Sequence, residues 1–252
     1  MLVYPSAIDL SSSTLRRLTG LLAAHRRQIG SRWRRLEPGR QALLVLAHLR
    51  CGDTYARLAA GFQVGIATVF RYVREAVDLP AALAPTLTDA MAIACTKAFV
   101  ILDGTLLPID RTGADRPFYS GKHHRHGMSV QVIADPRGRL LWASPALPGA
   151  VHDITAARTH GIIDALTRAE LRTWADKGYQ GAHGPVIVPY KGRCSTLPEG
   201  KRAVNRSHAK IRATGEQANA TLKTWRLLRK LRCPTTRITT IVKAILALHL
   251  AA

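Results

Sequence analysis

Hydrophobic residues recur at helical spacing through the first part of the chain. Ser11 to Ser13 are typical N-cap residues, and leucines follow them at positions 15, 18, 21 and 22. A second helix is predicted to begin after Pro38-Gly39 and to continue through the apolar run QALLVLAHL. Residues 1–80 are therefore expected to form a helical domain.

The segment from Thr54 to Ala76 predicts two helices joined by a tight turn at Gly61. The residues expected to face a shared core are Leu58, Ile66, Val69 and Val73. The opposite face of the second helix carries Ala67, Thr68, Arg71 and Glu75. In a helix-turn-helix such a face enters the major groove, which makes Thr68 and Arg71 candidate DNA-binding residues. A purely structural helical hairpin fits the same pattern.

The pattern changes beyond a proline-containing linker. Pro80 and Pro85 flank an Ala-rich stretch, and a helix is predicted around Asp89 to Thr96. The predicted strands are FVILD at 99–103, SVQVIAD at 129–135 and LLWASPAL at 140–147, the last two joined as a hairpin at 136–138. The elements expected next are a helix over 152–169, a short strand LRTWA, a basic loop over about 178–206, and helices from about 209 to the C-terminus. These elements predict an α+β chain, with a linker and leading helix over 80–98.

The composition is strongly basic. The chain has 37 Lys and Arg against 16 Asp and Glu, a formal net charge of +21. A charge of this size favours a polyanionic partner, and arginine suits phosphate contacts. A solvated basic face on an ordinary protein is the alternative. Basic residues concentrate in 1–80 and in 191–243, which predicts two separate DNA-contacting surfaces.

The cysteines and the apolar segments bear on the compartment. Cys51, Cys95, Cys194 and Cys233 are widely spaced, and we expect them to be reduced thiols. The N-terminus shows no signal-peptide pattern, and the apolar tail IVKAILALHLAA is too short to span a bilayer. We therefore expect a cytoplasmic protein with no membrane partner.

Three acidic residues stand out in this basic chain: Asp103 in FVILDGT, Asp176 in TWADKGY and Glu216 in TGEQANATLK. A carboxylate at the end of an apolar run costs desolvation energy unless something binds it. Carboxylates gathered from distant parts of a chain suit a hard divalent cation, which indicates metal-dependent phosphodiester chemistry on nucleic acid. The simpler alternatives are a turn residue at Asp103, a loop carboxylate at Asp176 and a dipole-favoured helix terminus at Glu216.

Five motifs, in order, resemble a known family. They are DGT at 103–105, YSGKHHRHG at 119–127, PGAVHD at 148–153, ADKGY at 175–179 and GEQANATLK at 215–223. From about residue 99 onward the chain resembles bacterial insertion-sequence transposases of the DDE superfamily, in the branch related to PIF/Harbinger elements. Such proteins also carry an N-terminal helix-turn-helix, here at about 38–78. The resemblance implies a ribonuclease H-like α/β catalytic domain over 99–250, in which adjacent strands bring two aspartates together and a helix lays the glutamate beside them.

The resemblance makes Asp103, Asp176 and Glu216 the catalytic, metal-binding triad. Two Mg²⁺ or Mn²⁺ ions about 3.5–4 Å apart would activate the attacking oxygen and stabilise the leaving oxygen. Asp103, on the central strand, would be shared between the ions. Asp153 is an alternative metal ligand because His152-Asp153 belongs to the family pattern, although its position also suits simple helix capping.

Basic side chains near these motifs are candidate DNA contacts. Lys122, His123 and Arg125 lie in a cationic loop between strands, and no matching spacing for zinc follows the histidines. Lys223 lies seven residues after Glu216 on the same predicted helix face, where it would contact a phosphate or simply be solvated. Arg226 begins a predicted basic helix over 226–237. The leucines expected to pack inward from that helix are Leu227, Leu228 and Leu231.

Together these features predict a DNA transposase that binds the terminal inverted repeats of its own mobile element through residues 38–78. It would cut the element ends and join the freed 3′-hydroxyls to target DNA, acting as a homodimer on double-stranded DNA. The alternatives are a domesticated DNA-binding protein without catalysis and a purely hydrolytic nuclease of the same fold. The three intact acids argue against the first alternative, whereas the sequence does not distinguish a hydrolytic nuclease from a transposase.

Overall fold

A computed structural model of the chain describes residues 8–31, 33–110, 116–193 and 195–251. The helices are α1 (Ser12–Gln28), α2 (Pro38–Leu46), α3 (Tyr55–Phe62), α4 (Ile66–Ala82), α5 (Leu87–Ala94), α6 (Asp153–Thr159), α7 (Ile162–Arg168), α8 (Glu199–Ala213), α9 (Gly215–Lys223) and α10 (Ile238–Leu250). The strands are β1 (Val100–Pro108), β2 (Tyr119–Ser120), β3 (Arg125–Ala134), β4 (Leu140–Ala143), β5 (Leu147–Pro148), β6 (Thr173–Ala175) and β7 (Val186–Ile187). This is the predicted α+β layout, with helices first and a mixed sheet after them.

The chain forms two compact units, one from residues 1–84 with 223–252 and one from 85–222. In the first unit α1 and α4 pack with α2, and α10 packs against α4. Ser11 caps α1 as predicted, accepting a bond from the Thr14 amide, and Pro38 opens α2. Three of the cysteines are free thiols, whereas Cys194 lies outside the described residues. No helix in the described ranges is long and apolar enough to cross a bilayer.

The predicted helix-turn-helix is present, but its turn and its faces differ in detail. The turn is made by Gln63, whose φ of 54° is left-handed, while Gly61 lies inside α3. Leu58, Val69 and Val73 are buried as predicted. Ile66, expected in the core, is 56% exposed because it opens the first turn of α4.

Glu75 is the second correction in this segment. It was expected on the solvent face of α4, but its side chain is only 12% exposed. Arg34 Nη2 donates to it at 2.9 Å and Gln41 Nε2 at 2.8 Å. Because both carboxylate oxygens have partners, the charge is tolerated inside the helical bundle.

Two expectations based on proline and basic residues were also wrong in detail. Helix α4 continues through the buried Pro80 to Ala82, so the proline that suggested a linker lies within the helix. The segment 226–237 is not one helix but two short 3-10 turns, Arg226–Arg229 and Thr235–Arg237, on either side of an irregular stretch. Pro234 cannot donate a helical hydrogen bond, which explains the interruption. The three leucines at 227, 228 and 231 are buried as predicted.

The second unit is built on one mixed sheet with the strand order β2-β3-β1-β6-β7, and β4 and β5 pair with β3. β3 runs antiparallel to β1, whereas β6 is parallel to β1 and β7 is parallel to β6. The predicted hairpin between β3 and β4 is present, with a left-handed Gly138 in its turn. Helix α8 begins at Glu199, ten residues or so before the helical start expected from the sequence.

Two predicted elements have different lengths. β1 does not end at Asp103 but continues through Thr105, Leu106 and Leu107, which are buried, so Asp103 lies in mid-strand. The helix expected over 152–169 is divided into α6 and α7 at Gly161, whose φ of 67° is left-handed. The adjacency implied by the family resemblance is confirmed, since β1 and β6 are neighbours in the sheet.

Candidate active site

The register of two parallel strands places Asp103 and Asp176 side by side. Leu102 on β1 pairs with Ala175 on β6. Asp103 follows Leu102 within β1, and Asp176 follows Ala175 just beyond the end of β6. The side chains are 13% and 16% exposed. Burial, and to a smaller extent the charge of Asp176, raises the pKa of Asp103. Apolar residues of two adjacent strands thus bring the two acids to neighbouring positions in the sheet.

Asp153 joins them from the start of α6. Its side chain is 12% exposed, and its Oδ1 accepts a bond of 3.4 Å from Gln131 Nε2 on β3. Two glycines permit this close approach. A Cβ atom at Gly178 would lie 2.7 Å from Asp153 Oδ2 and 2.8 Å from Asp176 Oδ1, and one at Gly104 would collide with Asp153 Oδ1. Any larger residue at these positions would push the carboxylates apart.

Lys122 supplies the cation of this cluster. Its Nζ lies 2.8 Å from Asp153 Oδ2 and 3.2 Å from Asp176 Oδ2. Partial burial opposes the charge of the ammonium, but the hydrogen bonds and charges of Asp153 and Asp176 raise the pKa of Lys122 overall. The sequence motif predicted a lysine that grips DNA. In this structure the lysine lies between two acids instead.

Asp103 is held mainly by groups on its own strand and on the α8–α9 region. Asn219 Nδ2 donates to its Oδ2 at 2.8 Å, the Gly104 amide donates to its Oδ1 at 3.0 Å, and Arg212 Nη2 lies 3.8 Å from Oδ1. Burial, opposed by the charge of Arg212 and assisted by that of Asp176, raises the pKa of Asp103 to about 6. Such a carboxylate is an energetically favourable partner for an additional positive charge.

A tyrosine and a glutamine lie beneath the acids. Tyr179 is fully buried, and its hydroxyl donates to Gln131 Oε1, while the Gln131 amide reaches Asp153. Burial, and then the charges of Asp153, Asp103 and Asp176, raise the pKa of Tyr179. Neither residue was predicted from the sequence as part of the site. The signal available for Tyr179 was its place in ADKGY, three residues after Asp176.

Glu216 lies at the start of α9 and is exposed. Within the described part of the chain it forms no hydrogen bond or ion pair. Three residues later, Asn219 is the side chain of α9 that bonds Asp103. Gly215 packs so closely on β1 that a Cβ atom there would lie 2.5 Å from Ile101 Cγ2. Lys223, predicted on the same face as Glu216, ends the helix and is half-buried.

The side chains here suit a divalent cation, although they do not form a ready-made ligand cage. Across the described residues no group of three or more His, Cys, Asp or Glu side chains is arranged to hold a metal. However, the Lys122 ammonium already lies between two carboxylates, which shows that the space accepts positive charge. The Oδ1 atom of Asn219 is buried without a partner among the described atoms, and it adds a neutral oxygen donor beside Asp103.

The remaining candidate DNA contacts are on the surface. Arg71 is exposed on α4, with its Nη2 3.4 Å from Thr68 Oγ1. His123 and Arg125 are exposed at the turn between β2 and β3, and Arg226 is exposed in its 3-10 turn. The solvent face of α4 also carries Phe70, with the Arg74 guanidinium 5.5 Å from its ring centroid, a pair that the sequence analysis did not single out.

Comparison with known proteins agrees with these features. Residues 102–249 match the family model described as DDE superfamily endonuclease, and residues 34–86 match the helix-turn-helix of DDE superfamily endonuclease. The chain is 31% identical over 202 residues to a protein of Streptomyces albus G named as the candidate transposase of insertion sequence element IS112. The alignment covers 76% of this chain and 71% of that relative. The chain therefore belongs to the DDE superfamily endonucleases, among the transposases of insertion sequences.

Proposed function

We propose that this protein cuts DNA at the ends of its own mobile element and joins the freed 3′-hydroxyls to target DNA. One observation supports this most strongly. Asp103, Asp153 and Asp176 approach one another in a chain of net charge +21, with a lysine ammonium between two of them. A basic protein has many cations available to bind phosphate, but an acid cluster on it is useful for binding a metal ion at a phosphodiester.

Asp103, Asp176 and Asp153 would hold Mg²⁺ or Mn²⁺, and Glu216 would complete the set, with two ions in all. When bound, the ions would supply Lewis acidity to the attacking and leaving oxygens of the phosphodiester. The second acid of the triad is proposed to be Asp176, with Asp153 as an additional ligand. Their shared contact with Lys122 is consistent with both acids serving one site.

The protein side chains have separate tasks in this proposal. Asn219 orients the carboxylate of Asp103, and Gln131, braced by Tyr179, orients that of Asp153. The Gly178 amide fixes Oδ1 of Asp176 at 2.7 Å, which leaves Oδ2 directed to the cluster. Lys122 neutralises Asp153 and Asp176, and with a divalent cation held by these acids its ammonium would instead be able to contact a DNA phosphate.

DNA recognition is assigned to the helical segment 38–78, with Thr68 and Arg71 reading the terminal inverted repeats in the major groove. His123, Arg125, Lys223 and Arg226 would contact phosphates and so contribute affinity without sequence preference. The protein would act in the cytoplasm as a homodimer on the two element ends, and it would belong to the PIF/Harbinger-related branch.

The experiment that tests this function uses purified protein and a duplex carrying the inverted repeat that flanks its gene, with and without Mg²⁺. Denaturing gels should show cleavage at the repeat end and a longer, strand-joined product. Cleavage without joining would indicate a hydrolytic nuclease. Sequence-specific binding without any cleavage would indicate a domesticated DNA-binding protein.

A further inference from the structure

A cavity of about 150 Å³ adjoins the acid cluster in the second unit. Asp153 and Lys122 belong to both the cavity wall and the cluster. The cavity extends away from the acids between β1, β3 and the two segments that precede β3 and α6. A group bound there would therefore lie directly beside the phosphodiester bond that the acids are proposed to act on.

Two side-chain hydroxyls in the cavity wall lack partners. Thr105 is 4% exposed and Ser120 is 5% exposed, and neither side chain forms a hydrogen bond within the described parts of the chain. Ser129, 7% exposed, also lines the cavity and has only a long contact of 3.5 Å to Gln131 Nε2. The hydroxyl oxygens of Thr105 and Ser120 are open to solvent in the cavity, so each can donate to or accept from a group bound there. These three therefore form a preformed set of donors and acceptors for a ligand.

The rest of the wall limits what the ligand is. Leu106, Gly149, Ala150 and Val151 contribute apolar surface, which suits a flat or weakly polar group. In the same wall the Asp153 carboxylate is paired with the Lys122 ammonium at 2.8 Å, which leaves little unbalanced positive charge to hold an anion such as a second phosphate. The volume is below the roughly 300 Å³ at which pockets begin to accept drug-sized molecules. A neutral ring that carries hydrogen-bonding edges meets all three conditions.

We propose that this cavity, which we call the base pocket, binds the base of one unpaired nucleotide next to the bond that is cut. The proposal rests on the proposed function, since it requires DNA at the acid cluster. Enzymes that carry out chemistry on a base extrude it from the stack into a close-fitting pocket, which shows that such a pocket can compensate for the cost of unstacking. The hydroxyls of Thr105, Ser120 and Ser129 would bond the edge of the base, and the apolar wall would contact its face.

Gly121 offers a way to fill the base pocket without disturbing the fold. It lines the pocket, and a Cβ atom there would meet no described atom within 4 Å beyond its chain neighbours. Gly121→Leu should therefore fold normally and occupy the space of the base. Gly200→Leu is the matched control, because Gly200 also has open space around it but lies on α8, away from the pocket lining.

The test pairs the filled pocket with DNA that lacks a base. The duplex is the element end, with a single abasic nucleotide placed in turn at each position around the cut. On intact duplex, Gly121→Leu should cleave about tenfold or more slowly than the wild type, and Gly200→Leu should match the wild type. At one abasic position the cleavage rate of the wild type should fall, and on that duplex Gly121→Leu and the wild type should cleave at the same rate. Equal cleavage of intact duplex by Gly121→Leu and wild type, or a tenfold loss that persists at every abasic position, would overturn the proposal.

A second measurement does not depend on cleavage. The same duplex carries 2-aminopurine at the position found above, or at each position in turn, and is bound by Asp103→Asn protein. The fluorescence should rise several-fold on binding as the base leaves the stack, and this rise should be absent with Asp103→Asn/Gly121→Leu. A rise of the same size in both proteins, or no rise at any position with bound DNA, contradicts the base pocket. Failure of the wild type to cleave any duplex would count against the proposed function alone.

Discussion

Asn219 donates its side-chain amide to Asp103 Oδ2 at 2.8 Å, from the same helix on which Glu216 is exposed. The family resemblance directs attention to Glu216, but the contact that positions the central aspartate comes from the residue three places later. The two side chains therefore have separable roles. Asn219 acts on the carboxylate of Asp103 in the folded protein, whereas Glu216 is available for a cation.

Substitution of each residue should separate these roles. Asn219→Ala removes a hydrogen bond to a buried carboxylate and should lower the free energy of unfolding by about 1–3 kcal/mol. Glu216→Gln changes an exposed side chain and should leave that free energy within about 0.5 kcal/mol of the wild type, yet it should abolish cleavage. Denaturant unfolding and a cleavage assay test both. Glu216→Gln protein that cleaves normally would remove Glu216 from the triad.

Lys122→Met should tighten divalent-cation binding in the absence of DNA. The ammonium competes for the oxygens of Asp153 and Asp176, and its removal leaves two carboxylates without a counter-charge. We expect the Kd for Mn²⁺, measured by titration calorimetry, to fall on the order of tenfold, which corresponds to about 1.4 kcal/mol. Lys177→Met is the matched control, because Lys177 follows Asp176 in the chain but its Nζ contacts the Gly192 carbonyl at 3.4 Å. Unchanged or weaker Mn²⁺ binding by Lys122→Met would show that the lysine does not occupy the cation position.

The stability of the first unit should depend on pH through His48. This histidine is buried, its Nδ1 lies 2.7 Å from the Asp53 carbonyl, and burial lowers its pKa below the ordinary 6.5. The unfolded chain therefore binds the proton more readily, so the contribution of His48 to stability is present above pH 6.5 and is lost as pH falls below it.

The check compares thermal unfolding at about pH 7.5 and about pH 5.5. The decrease in Tm between the two should be smaller for His48→Gln than for the wild type. His124→Asn is the control, since His124 is exposed and its left-handed φ of 50° is one that asparagine tolerates. An identical decrease in the wild type and in His48→Gln would exclude this role for His48.

Arg71→Ala should reduce discrimination between element ends and random duplex by on the order of 1–3 kcal/mol, because an arginine on a recognition helix can read a guanine edge. Lys223→Ala should weaken binding to both DNAs equally and reduce the salt dependence, as expected for a phosphate contact. Titrations of both variants with both DNAs at two salt concentrations distinguish these effects. Equal weakening of both DNAs by Arg71→Ala would mean that the helix supplies only electrostatic affinity.

Local patterns predicted the fold well where local chemistry determines it. The cap at Ser11 and the hairpin at Gly138 followed from short sequence signals, whereas the adjacency of the strands that lead to Asp103 and Asp176 was implied by the family resemblance. Ile66 and Glu75 were assigned to the wrong faces, since periodicity does not reveal where a helix first meets its neighbours. The partners of Glu75, Arg34 and Gln41, are far away in sequence.

The site was predicted only in part for a related reason. The sequence motifs identified the candidate acids. They did not reveal that Lys122 would bond Asp153 and Asp176, or that Asn219 would bond Asp103. These contacts depend on how loops and helices from distant segments meet above the sheet. The same holds for Tyr179 and Gln131, whose bond forms between a 3-10 turn and β3.

The most direct test of the account is the comparison of DNA binding and DNA cleavage by Asp103→Asn. The change removes the charge of the central carboxylate but keeps its shape, and it leaves the basic surfaces untouched. With the element-end duplex and Mg²⁺, the variant should bind within about twofold of the wild type and show no cleavage, a loss of 10³-fold or more in rate, equivalent to about 4 kcal/mol. Cleavage at the wild-type rate, or a parallel loss of binding and cleavage, would contradict the assignment of Asp103 to a metal-dependent active site.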